Sequence, residues 1–148
     1  MIRISKESKD SQIQGGYHII DENTFDEIDL VYYFAFKERQ EPLLVMQREG
    51  KALVSNSDLF RYLDGGTSIR CHLRCFSRRI ERYSLVEGKD YVLDFYEFNF
   101  CNNPKFFMDF TLTIETAKFI AALERSKSGR IVYQFLTEKG KEFNNHKL

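Results

Sequence analysis

The apolar positions in the first third of the chain occur as short runs separated by polar stretches. Residues 1–16 are polar and end in two glycines, which predicts a loose arm before the first ordered element. Residues 17–20 have the composition of a short strand. Two aromatic and β-branched runs, residues 30–36 and 43–46, predict a β-hairpin. We therefore expect residues 1–49 to form an N-terminal extension with a β-hairpin.

The pattern becomes helical after residue 50. Ser55 is a good helix N-cap with Asp58 three residues later, and this predicts a short helix that ends before the breaker residues 64–67. A longer helix is predicted over residues 68–83, because its apolar residues recur at spacings of three and four and lie on one stripe. The residues of this stripe are Ile69, Leu73, Phe76, Ile80 and Tyr83.

The last third of the chain contains a strand pattern followed by a helical one. Residues 91–100 and 106–112 are rich in aromatics and flank a turn sequence, which predicts a second hairpin. Thr113 is expected to cap a helix that ends near Ser126, and a last helix follows to about Phe143. The whole pattern predicts an α+β domain over residues 50–148: a helix-turn-helix-like pair, an antiparallel β-hairpin and two C-terminal helices, preceded by the N-terminal β-hairpin.

Composition narrows the classes of partner and the compartment. The chain has 22 Lys and Arg against 22 Asp and Glu, so its net charge gives no signal for nucleic acid or for an anionic membrane surface. Three cysteines at irregular spacing are typical of a reducing compartment. The longest apolar run, residues 30–36, is too short to cross a bilayer, and the N-terminus lacks the apolar core of a signal peptide. These features predict a cytoplasmic protein without a membrane partner.

The charges are distributed unevenly along the second predicted helix, which holds five arginines and one acid, Glu81. Most of these arginines fall on the face opposite the apolar stripe. Guanidinium groups on such a face can contact phosphates, read guanine edges or pair with carboxylates of a protein, although a solvated amphipathic face has the same pattern. We expect the partner-binding surface, for protein or nucleic acid, to consist of Arg70, Arg74, Arg78, Arg79 and Arg82, with Lys89, Arg125 and Arg130.

An acidic cluster lies in residues 21–29, with almost no basic residue nearby. Its default explanation is a solvated turn. The alternatives are a contact with a basic partner and a contact with the arginine-rich helix that would shield the arginines within the fold.

No motif for metal binding or catalysis stands out. Cys71 and Cys75 are four residues apart on the predicted helix, but His72 points elsewhere and no second ligand pair follows, so structural thiols are favoured over a metal site. The chain also lacks a glycine-rich phosphate loop and a Cys-His or Ser-His-acid arrangement. We therefore expect a protein without catalytic activity and without a cofactor.

Several stretches resemble a known family. Residues 76–91, FSRRIERYSLVEGKDY, are similar to the centre of the AntA/AntB antirepressor domain, in which an arginine-rich helix ends in a Tyr, a turn and a Val-Glu-Gly-charged-Asp-aromatic signature. Residues 52–63 resemble the opening strand and first helix of that domain, and residues 112–118, 123–125 and 129–130 resemble its closing helices. The order is collinear over residues 50–137. Cys75 stands where the family tends to have Trp, and residues 1–49 are not covered.

The resemblance implies a phage or prophage protein that acts in the cytoplasm of a bacterial host. Its expected function is to bind and antagonise a phage repressor or another regulatory protein. Related phage domains of the KilA-N and Bro types are regarded as DNA-binding, so a winged-helix DNA-binding transcriptional regulator remains an alternative. A phage inhibitor of a host defence complex is a further one. Exposed strands of the N-terminal hairpin could also pair two copies into a homo-oligomer.

Overall fold

The computed structural model describes residues 13–21, 41–64, 69–100 and 103–147. Within these ranges the chain forms a mixed α+β fold, which confirms the predicted class. The strands are β1 Tyr17–Asp21, β2 Val45–Arg48, β3 Lys51–Ser55, β4 Tyr91–Phe100 and β5 Asn103–Thr113. The helices are α1 Asn56–Asp64, α2 Ile69–Tyr83, α3 Ile114–Glu124 and α4 Lys127–Lys147.

The five strands form one sheet in the order β1-β4-β5-β3-β2. β4 and β5 are an antiparallel pair in register from Tyr91↔Leu112 to Phe100↔Asn103. β1 lies parallel to β4, and β3 lies antiparallel to β5. Because β1 and β3 flank the pair on both sides, β4 and β5 are the centre of the sheet. The pairing thus places the predicted second hairpin inside the sheet and does not establish it as a wing beside the helix pair.

The predicted N-terminal hairpin lies partly outside the described residues. Residues 30–36, its first strand, are not described, and neither are residues 22–29, which hold most of the acidic cluster. β2 pairs with β3, and the turn between them consists of Glu49 and Gly50, both with positive φ. β1 and β2, which precede residue 50, therefore belong to the same sheet as the strands that follow it.

Side-chain oxygens cap three of the four helices. The Ser55 Oγ accepts a hydrogen bond from the Asp58 N–H at 3.3 Å, and the Thr113 Oγ1 accepts one from the Thr116 N–H at 3.2 Å. Both caps were expected from the sequence. Ser126 acts in the same way at the start of α4, where its Oγ accepts from the Gly129 N–H at 3.0 Å. α4 continues to Lys147, beyond Phe143, after which the polar sequence predicted fraying.

The core has one part on each face of the sheet. Adjacent residues of a strand point to opposite faces, and on β4 Tyr91 belongs to the larger cluster and Val92 to the smaller one. The larger cluster is covered by the helices, with Phe76 of α2 fully buried and Ile80 packed at its margin. Tyr83, the last residue of the predicted stripe, is 37% exposed. The apolar stripe of α2 therefore packs on the core along its middle, whereas its C-terminal end is partly exposed.

α3 and α4 approach each other closely at Gly129. A Cβ atom at this position would lie 2.5 Å from the carbonyl oxygen of Ala121, closer than real atoms can approach. A Cβ at Gly140, further along α4, would lie 4.0 Å from its nearest neighbour, the Ile114 side chain. The sequence therefore needs glycine at position 129 for packing, whereas position 140 has room for a methyl group.

We expect Gly129→Ala to lower the free energy of unfolding by about 1–3 kcal/mol, because the helices must separate to admit the methyl group. Gly140→Ala is the matched control and should raise the free energy of unfolding by about 0.5–1 kcal/mol, because alanine loses less backbone entropy in a helix. Urea denaturation measures both. Equal effects of the two substitutions would contradict the close approach at Gly129.

Candidate interaction surface on the helices

Three of the predicted arginines form one exposed row on α2. Arg74, Arg78 and Arg82 are exposed, and their spacing of four residues places them about 6 Å apart along one side of the helix. None of them forms an ion pair with another described residue. We call these three residues the arginine stripe. Arg70 lies in the first turn of α2, and its side chain is outside the described part of the structure.

Arg79 has a different environment from the arginine stripe. Its Nη2 lies 2.8 Å from the Glu124 Oε1 of α3, and both side chains are largely buried. Its guanidinium also lies over the Phe60 ring of α1, 4.8 Å from the ring centre. Arg79 therefore joins α2 to α1 and α3. Sequence reasoning grouped it with the exposed arginines, and its partners inside the fold separate it from them.

Arg125 and Arg130 lie together where α3 ends and α4 begins. Both are exposed, and both line a groove of about 640 Å³ between the two helices. Arg125 is the C-cap of α3 and has the left-handed backbone conformation, with φ 51° and ψ 34°. We call this feature the α3–α4 groove; its principal lining residues are Ala121, Ala122, Arg125, Gly129, Arg130 and Tyr133.

Lys89 lies in the turn before β4, at the other end of α3 from Arg125. The Asp90 carbonyl in this turn accepts a hydrogen bond from the N–H of Thr113, the N-cap of α3, at 3.2 Å. Because α3 is about 16 Å long, this turn is far from Arg125 at the C-terminal end of the helix. The turn is built by its own residues: the Asp90 Oδ2 accepts from the Val86 N–H at 2.8 Å, and Gly88 has a φ of 86°. The Glu-Gly-charged-Asp part of the family-like signature therefore has a structural role here, and Lys89 is separate from the α3–α4 groove.

A buried carboxylate that sequence reasoning missed lies on the opposite face of the sheet from Tyr91. The Asp94 side chain is fully buried and accepts hydrogen bonds from His18 at 3.1 Å, the Gly16 N–H at 2.9 Å and Thr111. The Arg48 Nη1 donates to it at 3.2 Å, and the Arg48 Nη2 lies 3.0 Å from its second oxygen without aiming an N–H at it. These donors occupy both carboxylate oxygens and join β4 to β1, β2 and β5.

The charge state of Asp94 follows from these donors. Burial alone raises the pKa of a carboxyl group, but the hydrogen bonds from His18 and Thr111 and the positive charge of Arg48 hold the pKa of Asp94 below its ordinary value. The signal available in the sequence was an acid with Leu93 and Phe95 on either side of it, in the strand sequence YVLDFYEF. It indicates that a set of buried donors must exist, although it does not say which residues supply them.

Asp109 lies directly opposite Asp94 on β5, and the burial of its carboxyl group is less well compensated than that of Asp94. It accepts hydrogen bonds from the Ser55 and Ser57 hydroxyls, the latter at 2.9 Å, and no cation contacts it among the described residues. Burial raises the pKa of Asp109 to about 7, although the serine hydrogen bonds lower it. Asp109 thus ties β5 to the start of α1 and exchanges a proton near neutral pH.

The cysteine and histidine residues of α2 lie in different environments. Cys71 is exposed, and neither Cys71 nor Cys75 forms a disulfide. His72 is buried with its ring stacked on Phe60 at 5.8 Å. In the described ranges, no group of three or more His, Cys, Asp or Glu side chains is arranged to hold a metal ion.

The outer half of the sheet also exposes apolar side chains on its helix-side face. Tyr17, Phe95 and Met108 form one row across β1, β4 and β5, and Ile19 and Phe106 belong to the next row. These five side chains are between 42% and 66% exposed. Glu97, which accepts a hydrogen bond from the Tyr17 hydroxyl, lies between Ile19 and Phe106 and interrupts this apolar surface.

No described helix is long and apolar enough to cross a membrane. Comparisons of the chain with protein-family models, with curated proteins and with solved structures find no match.

We expect the stability of the protein to fall as the pH rises from about 4 to about 7, by up to about 1.4 kcal/mol per pH unit from Asp109. The reason is that the pKa of Asp109 is about 7 in the fold against an ordinary value of 3.8, so over this interval the folded state holds a proton that the unfolded state has lost. Asp94 acts at lower pH, because its lowered pKa adds stability that is lost only on acidification.

Urea titrations at several pH values measure this effect. Asp109→Asn should remove most of the slope, whatever constant cost the substitution adds, and Glu138→Gln on the exposed face of α4 should leave the slope as it is in the unmodified protein. An unchanged slope in Asp109→Asn would show that Asp109 does not titrate as described.

We expect Arg79→Ala to lower the free energy of unfolding by about 1 kcal/mol or more, because it removes the Glu124 ion pair and the contact with Phe60. Arg78→Ala, one residue earlier and exposed, should change it by less than about 0.5 kcal/mol. Thermal denaturation at equal salt compares the two variants. Equal losses would contradict the distinction between Arg79 and the arginine stripe.

Proposed function

We propose that this protein is a non-catalytic regulator of the antirepressor type from a phage or prophage, and that it binds a repressor or another regulatory protein through α2. The observation that carries this proposal is the arginine stripe: three exposed guanidinium groups on one side of α2, with no ion pair to any described residue. Arg79, beside them in sequence, is paired with Glu124 and so has a structural reason to be present.

The arginine stripe lies on a helix that is anchored in the core. Phe76 is fully buried under α2, and Arg79 fixes the helix to α3. Each exposed guanidinium group can donate two parallel hydrogen bonds to one carboxylate. A partner surface with acidic side chains at matching spacing would therefore bind tightly and in one orientation.

The resemblance to antirepressor domains supports the same helix. Residues 76–83 of the family-like stretch lie on α2, and residues 84–91 form the turn that leads into β4. The resemblance thus concerns the arginine-bearing helix together with the turn that fixes where this helix ends.

DNA binding through α2 is the second candidate, since a guanidinium binds a phosphate as readily as a carboxylate. Two observations favour a protein partner. The chain has no net charge, and β4 and β5 are enclosed by β1 and β3, which leaves this hairpin without the free position of a wing. An inhibitor of a host defence complex would use the same protein-binding chemistry, and only the identity of the partner distinguishes it.

We expect the double substitution Arg74→Glu and Arg78→Glu to abolish partner binding without unfolding the domain, because both side chains are exposed and only the partner would meet the reversed charges. The measurement is a pull-down with tagged protein from a phage-carrying bacterium, with nuclease treatment and mass spectrometry. The unmodified protein should retain a phage repressor, or another single regulatory protein, after nuclease treatment. The double variant should lose it.

Lys141→Glu reverses an exposed charge on α4 and is the control, which should bind as the unmodified protein does. Circular dichroism confirms that each variant is folded. Full binding by the folded double variant would remove the arginine stripe from consideration. Recovery of nucleic acid, with proteins lost on nuclease treatment and affinity falling steeply with salt, would establish the DNA-binding alternative.

A further inference from the structure

The α3–α4 groove has a floor made of small side chains. Ala121 is buried, and Gly129 packs so closely against its carbonyl that a Cβ atom at position 129 would not fit. Tyr133 forms one wall and is 43% exposed, and the Lys118 ammonium lies 5.1 Å from the centre of its ring. A shallow apolar floor beside a partly exposed tyrosine can hold an apolar side chain of a partner.

Two positive charges flank this floor. Arg125 and Arg130 are exposed, and neither pairs with an acid among the described residues. Glu124, which is adjacent to Arg125 in sequence, is occupied by Arg79 at 2.8 Å. The groove therefore combines apolar surface with two uncompensated guanidinium groups, which is complementary to a segment that carries both apolar and acidic side chains.

The backbone conformation of Arg125 allows its side chain to be tested without straining the fold. Arg125 occupies the left-handed conformation at the end of α3, where glycine is the usual residue because a Cβ is disfavoured there. The fold would accept glycine at lower cost at this position. The guanidinium can therefore be removed by a substitution to glycine that suits this backbone conformation.

We propose that the α3–α4 groove binds an acidic segment of a partner protein, with one apolar side chain on the Ala121–Gly129 floor and carboxylates on Arg125 and Arg130. This inference rests on the proposed function, because it specifies the chemistry of the protein that the regulator binds. The groove lies next to the helix of the arginine stripe, since α2 contacts α3 through Arg79 and Glu124 and through the Tyr83 and Phe119 rings, whose centres are 5.0 Å apart.

The test uses a synthetic amphipathic peptide of roughly 12 residues, about 18 Å long as a helix, with leucine on one face and glutamate on the other. Nuclear magnetic resonance titration of the full chain should show saturable binding with shifts centred on Ala122, Gly129 and Gln134. A peptide with lysine in place of glutamate, and a peptide with alanine in place of leucine, should each bind at least about tenfold more weakly.

Two groove variants provide the decisive comparison. Arg125→Gly should raise the melting temperature, because it relieves the left-handed arginine, and should weaken the acidic peptide about tenfold through loss of a charged contact. Loss of binding in a more stable protein excludes unfolding as the cause. Arg130→Glu should weaken binding at least as much.

The outcomes separate this inference from the proposed function. Unchanged peptide affinity in both groove variants, or absence of saturable binding up to millimolar peptide, overturns the groove assignment and leaves the arginine-stripe experiment unaffected. Shifts at the groove caused by a short DNA duplex and not by the acidic peptide overturn it as well. Conversely, the double variant Arg74→Glu and Arg78→Glu should retain the peptide shifts at the groove, because it leaves α3 and α4 intact.

Discussion

The sheet depends on the buried Asp94 carboxylate and the donors that surround it. His18 and the Gly16 amide approach from β1 and the residue before it, Arg48 approaches from β2, and Thr111 approaches from β5. A buried carboxylate without such donors would destabilise the fold by several kcal/mol, so the segments that supply them must be in place for the core on this face to form. The N-terminal strands are thereby coupled to the centre of the sheet.

Asp109 lies beside Asp94 on the adjacent strand but has hydroxyl donors in place of a cation. The two acids occupy neighbouring positions in one buried face, yet the pKa of Asp94 is lowered and that of Asp109 is raised to about 7. The difference arises from the donors around Asp94: hydrogen bonds from His18 and Thr111, together with the charge of Arg48, outweigh the effect of its burial. Two identical residue types therefore behave differently because of the side chains that surround each of them.

On the helix-covered side of the sheet, the ion pair between Arg79 and Glu124 separates one packing arginine from the basic residues that remain available to a partner. Arg79 pairs with Glu124 and covers Phe60, so it stabilises the packing of α1, α2 and α3. This pairing also occupies the acid nearest in sequence to Arg125. The arginines that remain exposed then fall into the stripe on α2 and the rim of the α3–α4 groove, two adjacent surfaces with the same charge and therefore the same preference for acidic groups.

The regular elements after residue 50 were predictable from local sequence. Ser55 and Thr113 indicated where α1 and α3 begin, and the spacing of the apolar residues around Phe76 indicated α2. Caps and periodicity are local, because they depend on residues within one or two helical turns. The aromatic runs likewise indicated β4 and β5. The order of the strands was not predictable, because it depends on which distant segments supply partners: β1 pairs with β4 across more than 70 residues.

The candidate surface, too, was predictable from the sequence only in part. The sequence by itself determined that basic side chains are concentrated on α2 and at the α3–α4 junction, since helical spacing and composition are local properties. Only the tertiary structure decided that Arg79 is a packing residue and that Asp94 has its donors, because the partners are 45 residues away for Arg79 and 76 residues away for the pair of His18 and Asp94. Contacts at such separation are set by how the elements pack, and no pattern within either segment encodes them.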